Sequence, residues 1–321
     1  PTPLKTSGYN APALSDWTGD GQLDLFIGVL GGADDANASL ADNFYFYENQ
    51  GDGYRLRTRQ FVGGLDVGSE SAVAVGDLNG DGASDMLVAN KIEPTEGSTS
   101  RVYRLSRRQE EMSLSYRLDG HLDLPAAYHY APALGDLTGD GTADLLLGTW
   151  KGRLAYHRNT GDGTFTAVSE SLVDLSGERH ATPVLGDLTG DGLLDLVVGT
   201  ADGSLHVFRN TGSATEPAFE RLPDVLADVT VGSRAAPALH DVDGDDVLDL
   251  VVGTEKKMVV LPNQGTPSSP SFGTPTPVSV EGIPRLAHPA IGEVSGNGQP
   301  DLVVGGERGG LVLFQAPGRP Q

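Results

Sequence analysis

The residues of this sequence whose types and spacing point most directly to chemistry are the acidic side chains of a glycine-rich turn at residues 136–144. Its nine residues, DLTGDGTAD, place side-chain oxygens at positions 1, 3, 5 and 9 and glycine at position 6, while position 7 can offer its backbone carbonyl. The EF-hand calcium loop uses oxygens at positions 1, 3, 5 and 7 with glycine at 6, but it closes with Glu at position 12. The turn therefore predicts a shorter cation loop that is closed by Asp at position 9.

The donor atoms of this loop narrow the choice of cation. All of them are oxygens, which favours Ca²⁺ over zinc or copper, and the crowding of carboxylates favours Ca²⁺ over Mg²⁺, which prefers to keep its waters. Without a cation, two unit charges about 4 Å apart would repel each other by about 4 kcal/mol at an effective dielectric constant of about 20. The other interpretation is a glycine-rich Asx turn whose acids are solvated and hold no metal.

The same loop occurs six times along the chain, at intervals of about 50 to 60 residues. We number the repeats 1 to 6, and their first loop residues are Asp16, Asp77, Asp136, Asp187, Asp241 and Glu293. Repeat 5 has Asp246 where the other loops have glycine. Repeat 6 has fewer carboxylates among its ligand positions than repeat 5 has, so we expect its site to be weak or empty.

Each loop lies between two short apolar stretches, such as APALGD before it and ADLLLG after it, that are typical of buried strands. A third strand and a more polar fourth strand follow in each repeat. Four strands per repeated unit are typical of a β-propeller blade. We therefore predict an all-β fold, a six-bladed β-propeller with four-stranded blades, as a single domain over residues 1–321. Repeat 6 ends before a fourth strand, so we expect residues 1–6 to complete that blade and close the ring. An open solenoid or a piece of a larger ring is the alternative.

The pattern D-x-[D/N/T]-x-D-G-x-x-D between two strands, repeated in register, resembles the FG-GAP or VCBS repeats of integrin-α-like β-propellers. The resemblance implies calcium loops between the first and second strands of each blade, with five bound Ca²⁺ and a sixth if repeat 6 also binds. The implied side-chain ligands are Asp16, Thr18, Asp20 and Asp24; Asp77, Asn79, Asp81 and Asp85; Asp136, Thr138, Asp140 and Asp144; Asp187, Thr189, Asp191 and Asp195; Asp241, Asp243, Asp245 and Asp249; and, in repeat 6, Glu293, Ser295, Asn297 and Asp301. The implied backbone ligands are the carbonyls of Gln22, Ala83, Thr142, Leu193 and Val247.

A second set of candidate residues lies seven positions before each loop, where the innermost strand of a blade would begin. These residues are Tyr9, Glu70, His129, His180, Arg234 and Leu286, with Tyr128, Tyr130, Arg179, Arg285 and His288 close by in sequence. We expect them to surround one mouth of the central channel, opposite the calcium loops, and to bind a glycan or an acidic peptide. Trp150 is a further aromatic candidate, and the longer segments at 29–43 and 90–101 are expected to project from the same face. The alternative is that these are simply polar residues at loop-to-strand boundaries.

Charge and motif content limit the functional class. The net charge of -22 disfavours nucleic acid as a partner. There is no cysteine, and no apolar run approaches the roughly 18 residues of a membrane span, so we expect no membrane insertion. No nucleophile elbow, HExxH or phosphate-binding loop is present. We therefore predict a monomeric, non-catalytic module that binds a protein or glycan and is extracellular, periplasmic or at the cell surface. A polysaccharide lyase-like enzyme and a structural spacer of a larger surface protein are the alternatives.

Overall fold

The structure of this chain is a computed structural model. It describes the backbone of residues 9–15, 24–30, 44–49 and 54–58, and then residues 70–90, 100–108, 115–175, 177–213, 215–226, 229–266, 268–279, 282–294, 299–307 and 311–314. The chain forms two compact units, Pro1–Asp66 and Val67–Gln321, and each is described by itself. The single domain over residues 1–321 stays a prediction. Within the described residues, no helix has the length and apolar character needed to cross a membrane.

The first unit contains the strands of repeat 1. They form one antiparallel sheet in the order β1-β2-β3-β4. The four strands are β1 (Tyr9–Ser15), β2 (Asp24–Leu30), β3 (Phe44–Asn49) and β4 (Tyr54–Thr58). The loop between β1 and β2, which carries the first predicted calcium site, lies outside the described residues.

The second unit contains one sheet for each of repeats 2 to 6, and we call these sheets blades 2 to 6. Blades 2 to 5 have four antiparallel strands each, and blade 6 has three among the described residues. The strands are β5 (Ala72–Gly76), β6 (Asp85–Ala89), β7 (Val102–Arg108) and β8 (Ser115–His121); β9 (Tyr130–Gly135), β10 (Asp144–Thr149), β11 (Arg153–Asn159) and β12 (Phe165–Asp174); β13 (Thr182–Gly186), β14 (Asp195–Gly199), β15 (Leu205–Asn210) and β16 (Phe219–Leu222); β17 (Ala236–His240), β18 (Asp249–Gly253), β19 (Met258–Leu261) and β20 (Thr276–Pro277); and β21 (His288–Gly292), β22 (Asp301–Gly305) and β23 (Leu311–Phe314).

The burial of each strand follows its place in the blade. The second strands β6, β14 and β18 are buried along their whole length, which is why they read as uninterrupted apolar runs. The fourth strand β16 has only partly buried and exposed residues, as expected at a sheet edge. The apolar side chains form clusters between neighbouring blades, so each blade is stable only against its neighbours.

The ring of the second unit closes through five blades. Its inner strands β5, β9, β13, β17 and β21 each lie beside the next, and β21 lies beside β5. At this closure the backbone N–H of Ser71 donates to the Gly306 carbonyl at 3.0 Å, and the Gly306 N–H donates to Ser71 Oγ at 2.9 Å. A side chain on Gly292 would come within 2.7 Å of Val75, so glycine is what lets the two inner strands approach.

The prediction of six blades closed by an N-terminal strand is therefore wrong. The sequence correctly predicted four-stranded blades in an all-β propeller, but the closing contacts are made between blade 6 and blade 2. The physical reason is that closure depends on contacts between residues far apart in the chain, here Ser71 with Gly306 and Val75 with Gly292, and the period of the repeats does not specify them. Residues 1–6, which were expected to close the ring, lie outside the described residues.

Neighbouring blades are joined by short backbone ladders at the end of the second strand. After β10, for example, the carbonyls of Thr149 and Trp150 accept the N–H groups of Ala181 and His180, both at 3.0 Å. Equivalent pairs join blade 4 to 5, blade 5 to 6 and blade 6 to 2. The residue that turns its N–H back to the preceding blade has a positive φ in all four joints: Glu70 (51°), His180 (61°), Arg234 (59°) and Leu286 (52°).

The joint between blades 2 and 3 differs from the other four. Its equivalent residue, His129, does not have a positive φ, and the N–H of Ser100 donates instead to the Ala127 carbonyl at 2.7 Å. Repeat 2 carries the longer segment after its second strand, and residues 91–99 of that segment lie outside the described residues. The positive φ values of these four residues are therefore a feature of the regular blade joint, because the equivalent residue His129 lacks one where the regular ladder is absent.

We predict that Gly199→Ala lowers the free energy of unfolding by about 2 to 4 kcal/mol. An added methyl group at Gly199 would overlap the backbone carbonyl of Ala235 in the next blade, and backbone cannot move aside as a flexible side chain can. The measurement is urea unfolding followed by circular dichroism.

Gly76→Ala is the matched control for this substitution. Its methyl group would meet Leu134 at 3.3 Å, a side chain that can shift, so we expect a change below about 1 kcal/mol. Equal effects of the two substitutions would show that the blade joint does not require glycine at position 199.

Candidate functional site

The first aspartate of each described loop organises the turn. Asp136 accepts the N–H of Gly139 at 2.7 Å through Oδ1 and that of Gly141 at 2.8 Å through Oδ2. Asp77, Asp187 and Asp241 make the same pair of contacts in their loops. These bonds wrap the backbone of the turn around the first carboxylate.

The aspartate at position 9 is buried and connects three parts of its blade. Asp144 begins β10, accepts the N–H of Leu137 at 3.2 Å through Oδ2, and accepts the N–H of Asn159 at 2.8 Å through Oδ1. Asp85, Asp195 and Asp249 make the corresponding two bonds in their blades. Burial raises the pKa of Asp85, Asp144 and Asp195, and the backbone donors partly offset that rise.

The side chain at position 3 in repeats 3 and 4 is a buried hydroxyl, which offers an oxygen donor of the kind that hard cations bind. Thr138 Oγ1 and Thr189 Oγ1 are buried, and neither has a hydrogen-bond partner of good geometry among the described residues. Each lies close enough to the carboxylate at position 5, Asp140 or Asp191, to help lower its pKa. A buried hydroxyl without a partner costs about 1 to 3 kcal/mol, and a cation at the loop centre would give it one.

In repeat 5 the carboxylates themselves converge. One oxygen from each of Asp241, Asp243 and Asp249 lies within 4.8 Å of the others. The pKa of Asp243 is raised by loss of solvation and by the neighbouring negative charges of Asp245, Asp249 and Asp241. Asp246 occupies the glycine position with φ of 65°. This donor set fits Ca²⁺, which takes several carboxylate oxygens in a flexible shell.

In repeats 4 and 6, an arginine side chain contacts one of the loop carboxylates. In repeat 4, Arg209 contacts Asp191 at 2.8 Å, and this bond lowers the pKa of Asp191. In repeat 6, Arg107 of blade 2 contacts the first loop carboxylate, Glu293, at 3.1 Å. Ser295 and Asn297 lie outside the described residues, as do Asp16, Thr18, Asp20 and Gln22 of repeat 1 and the side chain of Asp24. The weak or empty sixth site stays a prediction.

A set of buried asparagines was missed as part of this arrangement. Asn159 donates through Nδ2 to the carbonyls of Leu78 and Ala143, both at 2.9 Å, and accepts the N–H of Gly161 at 3.0 Å. Asn210 and Asn263 bond similarly in blades 4 and 5. Their regular spacing of 14 or 15 residues after the position-9 aspartate was the available signal.

At the opposite end of the inner strands, the structure brings together most of the predicted mouth residues. Glu70, His129, His180, Arg234 and Leu286 line a cavity of about 20 Å³, and His288 lines it as well. The His129 and His180 rings stack with centroids 4.0 Å apart, and Arg234 forms an ion pair with Glu70. The cavity has room for about one water-sized occupant.

The aromatic residues form the outer part of the mouth. The ring of Trp150 lies edge-on to those of Tyr128 and His180, with centroids 5.3 and 5.9 Å away. Tyr128 is 41% exposed, so one face of this group is open to solvent. Tyr9 begins β1 of the first unit, and its side chain lies outside the described residues, as do residues 31–43 and 91–99 of the two long segments.

Of the neighbouring residues predicted near the mouth, His288 lines the cavity, whereas Arg179, Arg285 and Tyr130 are not among its lining residues. Arg285 contacts Glu255 at 3.2 Å and Glu307 at 3.4 Å on the exposed surface. Arg179 offers its carbonyl to the N–H of Ala201 in the blade joint, and Tyr130 is buried. Burial lowers the pKa of His288 to about 3, with a smaller contribution from His180, so His288 is neutral at pH 7.

The fold and the loops define a β-propeller built from repeats with acidic, glycine-rich turns between their first two strands. The sequence profile of the FG-GAP-like repeat matches residues 16–88, 136–198 and 187–252, which together make up more than half of the chain. The chain belongs to this family. The resemblance to FG-GAP repeats seen in the sequence is therefore confirmed.

A curated relative agrees with this assignment, and two solved structures show a weaker likeness. Integrin alpha-4 of Xenopus laevis is 25% identical over 179 residues, covering 50% of this chain and 17% of that protein. A solved Agrocybe aegerita lectin that recognises non-reducing terminal N-acetylglucosamine covers 85% of this chain and 66% of its own, with 20% identity and a TM-score of 0.40. A GH43_1 enzyme from Xanthomonas citri covers 79% and 89%, with 12% identity and a TM-score of 0.47.

These similarities differ in what they support. The chain spans about a fifth of the length of the curated integrin relatives that it matches. The chain has an integrin-like FG-GAP propeller. The activity of the complete relatives is not assigned to it on this basis. The two solved structures have low identity and low TM-scores, so they carry no functional argument.

We predict that Thr138→Val has opposite effects with and without calcium. Without calcium, valine removes a buried hydroxyl that has no good partner, so stability should stay equal or rise by up to about 1 kcal/mol. With calcium, one ligand is lost, so calcium affinity and calcium-dependent stabilisation should fall. The measurement is thermal unfolding in EDTA and in a calcium series.

The matched control is Thr160→Val in the same blade. Its hydroxyl is exposed and donates to the Thr164 carbonyl at 3.1 Å, outside the loop. We expect a small effect of the same sign in both conditions. A Thr138→Val variant that behaves like this control would exclude the hydroxyl as a calcium ligand.

Proposed function

We propose that this chain is a calcium-stabilised, non-catalytic binding module that recognises a protein or carbohydrate at or outside the cell surface. The observation that carries the proposal is the loop chemistry: the converging carboxylates of Asp241, Asp243 and Asp249, and the buried hydroxyls of Thr138 and Thr189 beside the position-5 carboxylates of their loops. Oxygen donors in this arrangement are suited to Ca²⁺. The family membership and the integrin relatives support the same conclusion.

Calcium would stabilise the fold through the loop that follows the first strand of each blade. The position-9 aspartates are buried, and burial disfavours their charge, so a cation offsets a cost that the protein otherwise bears. Because the same aspartates hold the end of the third strand, a cation in the loop strengthens the blade as a whole. Neutralising several carboxylates also reduces the self-repulsion of a chain with a net charge of -22.

The ligand would bind at the mouth, where the rigid ring presents a group of aromatic and polar side chains. Tyr128 and Trp150 provide flat apolar surfaces of the kind that stack against sugar rings or peptide side chains. The surrounding blade joints hold these residues in fixed positions, which lowers the entropy cost of binding.

The mouth favours binding over catalysis. Glycoside hydrolysis generally needs two carboxyl groups roughly 5 to 10 Å apart. Among the described residues that line the mouth cavity, Glu70 is the one carboxylate, and it is ion-paired with Arg234. The enzyme alternative is tested by assaying every polysaccharide that binds for cleavage products.

We predict that EDTA lowers the melting temperature and that Ca²⁺, not Mg²⁺ at equal concentration, restores it. A site held at one hundred times its Kd stabilises the folded state by about 2.7 kcal/mol. Calcium titration should show four to six ions per chain, and Asp245→Ala should remove one. Asp224→Ala, which removes an exposed acid outside the loops, should leave the count unchanged. An unchanged melting temperature in EDTA would refute the calcium assignment.

We predict that Tyr128→Ala weakens binding to the best ligand from a glycan and peptide array by about tenfold, because about 1 to 1.5 kcal/mol of aromatic contact is lost. The calcium-loaded melting temperature should not change, since Tyr128 is largely exposed. Val168→Ala is the matched control on the outer strand β12, with 59% exposure. Equal affinity of the two variants would place the ligand elsewhere.

A further inference from the structure

The inner end of the channel mouth holds a group of side chains that the calcium loops do not explain. One ligand atom from each of Glu70, His129 and His180 lies within 4.8 Å of the other two. Both imidazoles are almost completely buried, at 2% and 5% exposure, whereas Glu70 is partly buried. The group lies at the end of the inner strands opposite the calcium loops, so it is a separate site.

We propose that Glu70, His129 and His180 bind a divalent transition-metal ion, with Zn²⁺ as the best-fitting ion, at the inner end of the channel mouth. Two imidazoles and a carboxylate are a donor set that zinc uses in proteins, with the fourth position left to water or a further ligand. Imidazole nitrogen suits zinc, copper and nickel, whereas calcium takes oxygen donors. The site therefore differs from the loops in both position and metal preference.

The distances between the three candidate ligand atoms are slightly longer than those of a zinc site. In a tetrahedral site with metal–ligand bonds of about 2.1 Å, neighbouring ligand atoms lie about 3.4 Å apart. The three atoms here lie within 4.8 Å of one another, so binding requires each pair to approach by at most about 1.4 Å. The two rings stack face to face with an interplanar angle of 28°, so their nitrogens lie in neighbouring, nearly parallel planes. The cavity of about 20 Å³ that they line can hold one ion.

The surrounding residues provide a suitable outer shell. Thr182 Oγ1 lies 3.3 Å from His180 Nδ1, so a bond from Nδ1–H to this hydroxyl would leave Nε2 as the metal-binding nitrogen. Arg234 contacts Glu70 through Oε2 and would hold its carboxylate in place. The positive charge of Arg234 opposes a cation, but its pairing with Glu70 reduces that effect, and a carboxylate has lone pairs for both partners.

His288 supplies an independent indication that the cavity takes a ligand. It is 7% exposed and lines the same cavity, and neither of its ring nitrogens has a hydrogen-bond partner of good geometry among the described residues. A buried imidazole without a partner costs free energy, and a metal or a metal-bound water in this cavity would relieve it. His288 is therefore the residue of this chain best placed to complete the shell.

The experiment is a zinc titration of the full chain held in excess Ca²⁺, so that the loops are filled and the fold is kept. We expect one Zn²⁺ per chain by competition with a chromogenic chelator. Co²⁺ should show the visible absorption of a nitrogen-coordinated ion. His180→Gln should weaken zinc binding at least tenfold, and His129→Gln with His180→Gln should abolish it. His157→Gln, which changes a buried imidazole away from the mouth, should bind zinc like the wild type.

Two further measurements make the result decisive. Glu70→Gln alters a partly buried ligand with little change of shape and should also weaken zinc binding tenfold or more, which covers the case in which the histidine variants do not fold. The calcium count of each variant, measured separately, should remain that of the wild type, so a failure of the loop assignment is distinguished from a failure here. Absence of zinc binding at micromolar concentrations, or equal binding by wild type and Glu70→Gln, overturns the proposal.

Discussion

The buried carboxylate at position 9 of each loop is the interaction on which the rest of a blade depends. In blade 3, Asp144 begins the second strand, accepts an N–H from the loop at Leu137, and accepts another at Asn159, where the third strand ends. One side chain therefore fixes the loop, the second strand and the third strand relative to one another. Asn159 continues the connection to the next turn and to the neighbouring blade through the Leu78 carbonyl.

This arrangement places a carboxylate where it is shielded from solvent. The two ends of the inner strands then differ in the side chains that they bring together. Burial raises the pKa of Asp144 and Asp195, although backbone donors act in the opposite direction. The loop above each aspartate concentrates further oxygens, among them hydroxyls that lack good partners. At the other end of the same strands, the blade joints gather imidazole, carboxylate and guanidinium groups around a small cavity. The inner strands thus have mainly side-chain oxygens at the loop end, and imidazole and guanidinium groups beside a carboxylate at the mouth end.

The blade joint explains why residues of such different types share one unusual backbone conformation. Glu70, His180, Arg234 and Leu286 have positive φ values because each turns its N–H towards the preceding blade. The chemistry of the side chain is then free to vary, since the backbone makes the structural bond. Variation at these positions can therefore change the chemistry of the mouth while the backbone bonds that hold the ring together stay the same.

The sequence by itself determined the repeats, the four-stranded pattern of the blades and the resemblance to FG-GAP repeats, because all of these follow from local spacing along one chain. Tertiary structure decided what depends on distant partners. Five blades close rather than six, since Ser71 and Val75 pack against Gly306 and Gly292, more than two hundred residues away. The pairing of Arg107 with Glu293, the stacking of His129 on His180 and the role of Asn159 arise in the same way. Each requires two repeats to be adjacent in the ring, and periodicity does not specify which two those are.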